Sequence, residues 1–78
     1  TMAGDRRIVA NNLKTLREVR RISQEELAAK AGIDRSYISD LENEKYGISI
    51  DKLGNLAEVL GVATWEMLHP ATATNARK

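Results

Sequence analysis

The chain contains no cysteine, one histidine and one proline in 78 residues. Without cysteine there is no disulfide, no thiolate metal site and no thiol nucleophile, which fits a reducing compartment. His69 alone makes no histidine cluster for a metal or for paired acid–base work. Long apolar runs are missing too. The longest charge-free stretches are 67–76 and 59–65, far short of the ~20 apolar residues that span a bilayer. Arg6-Arg7 opens no targeting signal, because Asn11, Asn12 and Lys14 interrupt any apolar segment behind it. No nucleophile–base pair, metal set or glycine-rich phosphate loop is present. These absences predict a soluble cytoplasmic domain with no metal, no cofactor and no enzymatic activity.

Folding a chain this short buries only about 60% of its surface, so one small, well-patterned core is expected. The pattern supports a single domain over residues 1–70 and a small, polar, flexible tail over 71–78. Net charge is +1, but it is unevenly spread. Residues 1–35 carry eight basic and five acidic side chains, and residues 36–78 carry four and six. That allows a basic face without demanding one.

No window alternates apolar and polar residues long enough to read as a strand, whereas helix signals recur. Val9, Leu13 and Leu16 form one stripe of a first helix from about Arg6 to Arg21. Ser23-Gln24-Glu25-Glu26 has the form of a capping box, with Leu27, Ala28 and Ala31 inward and Gly32 ending the helix in a left-handed turn. Asp34 is an N-cap candidate for a third helix from Arg35 to about Asn43, with Ile38 and Leu41 inward. Ser49 caps a fourth helix with Leu53, Leu56, Ala57 and Leu60 on one face, and Gly61 ends it. Residues 64–68 make a last turn or two before Pro70, which gives an all-α, five-helix domain.

Two short helices joined by a three-residue turn containing glycine form a helix-turn-helix signature, here over 24–43. The segments ISQEELAAKAGIDRSYISDLEN and SIDKLGNLAEVLGV resemble the phage repressor/Cro-type (XRE) helix-turn-helix family over residues 8–68. The run 34–39 is similar, more narrowly, to restriction–modification controller proteins. The resemblance implies a lambda-repressor-like five-helix domain that binds double-stranded DNA, usually as a homodimer. The chain departs from the family pattern at Arg21 and Glu44, where glycine is common, and at Ile48, where proline is frequent. It also has Ala63 at the usual N-cap of the last helix, leaving Thr64 as substitute. Asn43 or Glu44 is therefore expected in a left-handed conformation.

On the third helix, Arg35 is the expected base reader, since a guanidinium presents two parallel donors to guanine O6 and N7. Ser36, Tyr37 and Ser39 are further candidates for base contact. Asp40 either accepts from cytosine N4 or repels phosphate and narrows the choice of site. Gln24, at the positive end of the second helix, is the expected phosphate contact, a role the resemblance also implies. Asn43, Lys45 and Lys52 surround the following loop and face the same backbone, whereas Arg6, Arg7 and Lys14 read as a solvated face. Glu42 shares the inward face with Ile38 and Leu41, and the resemblance pairs it with Arg17 in an ion pair between the first and third helices.

One recognition helix reads too few base pairs to choose a genomic site, so a dimer on a near-palindromic operator is expected. Trp65 and Leu68 are expected to close the core from the last helix, a region that in similar proteins also forms the dimer contact. The expected seam is Met67 and one edge of Trp65. The leading functional reading is a sequence-specific transcriptional regulator. A DNA-binding antitoxin or restriction–modification controller, and a protein-interaction module that kept the fold, are the alternatives.

Overall fold

The computed structural model describes residues 2–78, so Thr1 of the expected domain lies outside the described residues. Among those described there are five α-helices, one 3₁₀ helix and no strand: α1 (Met2–Val19), α2 (Gln24–Ala31), α3 (Arg35–Glu42), α4 (Ile50–Leu60), the 3₁₀ helix (Thr64–Leu68) and α5 (Ala71–Ala76). None of the described helices is long and apolar enough to cross a membrane.

Local chemistry sets most of the boundaries. Ser23 Oγ accepts from the Glu26 N–H at 3.0 Å and Ser49 Oγ from the Lys52 N–H at 3.2 Å, each satisfying one of the N–H groups that a helix start leaves without a partner. Gly32 and Gly61 end α2 and α4 in the left-handed region, at φ 69° and 74°. Arg21 (φ 56°) and Glu44 (φ 62°) adopt the same conformation without being glycine, so the turns after α1 and α3 hold some backbone strain. Two caps differ from expectation. Asp34 occupies the N-cap of α3 but its side chain makes no capping bond. Before the 3₁₀ helix, Ala63 rather than Thr64 is the N-cap, and Glu66 Oε1 accepts from its N–H at 2.9 Å.

The core forms where the apolar stripes meet. Leu13 and Leu16 of α1, Leu27 of α2, Ile38 of α3 and Leu53, Leu56 and Leu60 of α4 are all essentially sealed from solvent. Each such side chain contributes roughly 1.5–3 kcal/mol of transfer free energy. Met67 joins them at 0% exposure, while Trp65 is 65% and Leu68 44% exposed. This corrects the expectation that Trp65 and Leu68 close the core and removes Met67 from the expected dimer seam, of which the Trp65 edge alone is exposed. The cause is the phase of the turn, which the spacing leaves open. In a 3₁₀ helix, side chains three apart eclipse one another. Trp65 and Leu68 therefore share the outer face, and Met67 faces inward with Thr64.

The expected flexible tail at 71–78 is also corrected, because it forms α5 and packs. Ala73 is 3% exposed, and the holding group is a buried asparagine on α1. Asn12 Nδ2 donates to the carbonyls of Met67 (2.8 Å) and His69 (2.9 Å), and its Oδ1 accepts from the Ala73 N–H at 3.0 Å. Arg77 Nη2 adds a bond to Thr15 Oγ1 at 3.1 Å.

Candidate nucleic-acid interface

The inward side of α3 is fixed at both ends of its length. Ile38 and Leu41 enter the core, and Glu42, one turn beyond Ile38, meets a set of donors at the core edge. Arg17 Nε donates to Glu42 Oε2 at 2.7 Å and Arg17 Nη2 to Glu42 Oε1 at 3.1 Å. These two parallel bonds form a planar fork that lysine cannot reproduce. Arg17 Nη1 donates to the Ile22 carbonyl at 3.0 Å, and Gln24 Nε2 to Glu42 Oε1 at 3.0 Å. The pair is mostly shielded, with side-chain exposures of 15% for Arg17 and 5% for Glu42. The bond to Glu42 holds the Arg17 pKa above its ordinary value, outweighing burial, which acts the other way. One network thus ties α1, the turn after it, the first residue of α2 and the end of α3. It is the base on which α3 is set.

The opposite side of α3, with Ser36 and Asp40 and with Ser39 beside them, is open, and Arg35 flanks its first turn. Arg35 and Ser36 are exposed, Ser39 and Asp40 half-buried. Arg35 Nε lies 3.2 Å from Glu25 Oε1 of α2, and Asp40 Oδ1 lies 3.8 Å from Lys45 Nζ. Asn43 turns its amide back on its own helix, donating from Nδ2 to the Ser39 carbonyl at 2.9 Å. Tyr37 is half-buried and its hydroxyl donates to the Gly47 carbonyl at 3.0 Å, which pins the 43–49 loop to α3. Its ring stacks near that of Tyr46, with centroids 6.4 Å apart, and Lys52 Nζ sits 4.8 Å above it. That distance is within cation–π range.

Tyr37 and Lys52 are therefore in contact, as are Asp40 and Lys45, while Arg35 contacts Glu25 of α2, and Arg35 and Ser36 are free of the core. Gln24 is turned partly inward by its bond to Glu42. Trp65 and Met67 are in the 3₁₀ helix, outside this group, and Met67 is sealed in the core. Two residues make contacts that the sequence does not reveal. Glu25 contacts Arg35, and Asn12 holds α5. Neither leaves a periodic signal, because each acts on a different element. Among the described residues no group of three or more His, Cys, Asp or Glu could hold a metal.

The helix-turn-helix family model matches residues 13–64. A hypothetical transcription factor of Neisseria meningitidis is 37% identical over 65 residues, covering 83% of this chain and 61% of that protein. The immunity repressor protein of Bacillus phage phi105 is 37% identical over 54 residues, covering 69% of this chain and 38% of the repressor. The chain thus spans less than two thirds of the length of either. The crystal structure of the restriction–modification controller protein C.AhdI from Aeromonas hydrophila matches at a TM-score of 0.77 and 32% identity, covering 81% of this chain and 96% of that one. The chain belongs to the helix-turn-helix family, in its phage repressor/Cro (XRE) type.

Proposed function

We propose that this chain is a sequence-specific DNA-binding transcriptional regulator that seats the open edge of α3 in the major groove of an operator. The observation that carries the reading is the asymmetry of α3. Its inner side is held by Ile38, Leu41 and the Arg17–Glu42 fork, while Ser36 on the opposite side and Arg35 on its flank stand exposed. In this reading Arg35 reads guanine and Ser36, Ser39 and Asp40 contact neighbouring bases. Tyr37 shapes the edge through its bond to Gly47. Lys45, Lys52, Asn43 and the α2 start at Gln24 face phosphates, which position the domain without reading sequence. Fluorescence anisotropy with mixed-sequence duplex tests the reading. Affinity should fall steeply between about 50 and 200 mM salt as bound counterions are released. Binding indifferent to salt, or none, would support a protein-interaction module instead.

The regulator acts as a homodimer on a near-palindromic site, since two α3 helices about one DNA turn apart double the sequence read. The seam proposed is the outer face of the 3₁₀ helix, where Trp65 and Leu68 are exposed together. Sedimentation of the wild type and of Trp65→Ser tests this. A wild-type monomer both free and on DNA refutes it. A restriction–modification controller is the second reading, favoured by the likeness to C.AhdI. It uses the same surface, and is distinguished by whether the selected sites lie upstream of a methyltransferase–endonuclease gene pair.

A further inference from the structure

Arg35 does not stand alone at the head of α3. Its Nε lies 3.2 Å from Oε1 of Glu25, in the first turn of α2, and both side chains are largely exposed. The approach is through Nε, the guanidinium nitrogen closest to the main chain. The contact is an ion pair, and no hydrogen bond within the described residues engages any Arg35 guanidinium nitrogen; Nη1 and Nη2 carry the pair of parallel donors that a guanine O6/N7 edge accepts. Attraction of Nε to the carboxylate favours the rotamers that leave that pair facing away from α2.

The next residue makes the contrast. Glu26 lies in the same turn of α2, but its partner is Lys30 on its own helix, at 3.3 Å, and it has no ion pair with α3. Glu25 and Glu26 place equal charge at the same helix start, and Glu25 alone is tied to the reading helix. A carboxylate beside the proposed DNA face also repels phosphate whatever the base sequence. Such a repulsive element raises specificity when it lowers all binding and favours the one arrangement that orders Arg35.

The geometry points to Glu25 as a specificity-determining residue that positions Arg35 for guanine readout, an inference that rests on the DNA-binding reading above. A pair this exposed biases the Arg35 rotamers rather than locking them. The effect on base preference is therefore about two- to fivefold, the size of an exposed ion pair.

The test is selection from a randomised duplex library by the whole chain as wild type, Glu25→Gln, Glu25→Asp, Glu26→Gln and Arg35→Ala, with anisotropy on an unselected duplex alongside. The wild type should enrich a motif with one guanine that Arg35→Ala no longer prefers. Glu25→Gln and Glu25→Asp should both lower the preference for that guanine by about two- to fivefold and leave other positions unchanged. Glu26→Gln should keep the preference. Affinity for unselected duplex should rise in both Gln variants, which lose a negative charge, and stay level in Glu25→Asp, which keeps it. An undiminished guanine preference in Glu25→Gln overturns the inference, as does an equal loss in Glu26→Gln or a motif unchanged by Arg35→Ala. A wild type that enriches no motif refutes the DNA-reading function itself and the inference with it. Circular dichroism melts of the exposed Glu25 variants separate any loss of fold from a change in readout.

Discussion

Replacing Arg17 with methionine leaves the Glu42 carboxylate, 5% exposed, with Gln24 Nε2 as its one remaining side-chain donor among the described residues. Two charge-assisted bonds disappear, of 2.7 and 3.1 Å, and the Ile22 carbonyl loses its guanidinium partner as well. Breaking a fully buried pair costs roughly 3–5 kcal/mol, because the surviving charge is stranded. Arg17 is 15% exposed, so water reaches one side of the site and the expected loss is about 3 kcal/mol. Glu42→Gln keeps the shape but turns an amide N–H₂ toward Arg17 or Gln24, donor against donor, and should lose about 2–3 kcal/mol. Replacing both with apolar residues, Arg17→Met with Glu42→Leu, should lose clearly less than the two singles summed, since no charge is then left unpaired.

Urea melts of the four proteins read this directly. Stabilities of natural domains scale at roughly 0.05–0.15 kcal/mol per residue, so this chain has about 4–12 kcal/mol in all. With a denaturant slope near ~1 kcal/mol per M for so small a domain, Arg17→Met should lower the midpoint by about 3 M. The raised Arg17 pKa means its contribution is fully present below the ordinary arginine range and is lost only as pH rises beyond it, so neutral buffer measures the intact pair. Single variants that each lose under about 0.5 kcal/mol, the range of ordinary surface changes, would refute the claim that the fork anchors α3.

Asn12→Ala removes the bonds to the Met67 and His69 carbonyls and to the Ala73 N–H. It should cost about 2–4 kcal/mol at ~1–3 kcal/mol per stranded group, allowing for water entry, and should abolish amide exchange protection in α5; unchanged protection would refute its role. Glu44→Gly relieves a residue at φ 62° and should raise stability by about 0.5–1 kcal/mol in the same melts, the left-handed penalty less the entropy of glycine. The Arg7–Glu44 contact it deletes is 3.7 Å long and exposed, so its loss is small. Arg35→Ala should cost about 1–3 kcal/mol at a selected site and relax one base pair, whereas Lys52→Ala should weaken all duplexes alike and lower the salt slope by about 1. Equal losses from Arg35→Ala on selected and random duplex would remove it as a reader.

What could be read without the structure, and what could not, divides along the distance between interacting groups. The capped starts at Ser23 and Ser49 and the glycine ends at Gly32 and Gly61 are contacts within three or four residues, and the inward stripes of α1 to α4 follow from the helical period alone. The chain beyond Gly61 fails on both counts. Over 64–68 the turn is so short that residues three apart pair on either side, and the spacing does not say that Met67 faces in and Trp65 out. Residues 71–76 have no large apolar side chain, so no stripe marks them as a helix. Their order comes from Asn12, whose amide reaches across 61 positions to the Ala73 N–H. A buried asparagine inside an amphipathic stripe reads as a polar interruption until its partners are in place. The proposed DNA edge has the same character. Arg35 is recognisable as a surface cation from its place on α3, but the carboxylate that lies against it belongs to another helix. Hydrophobic periodicity reports which side of a helix is buried, and base reading is organised on the other side, by polar contacts between elements.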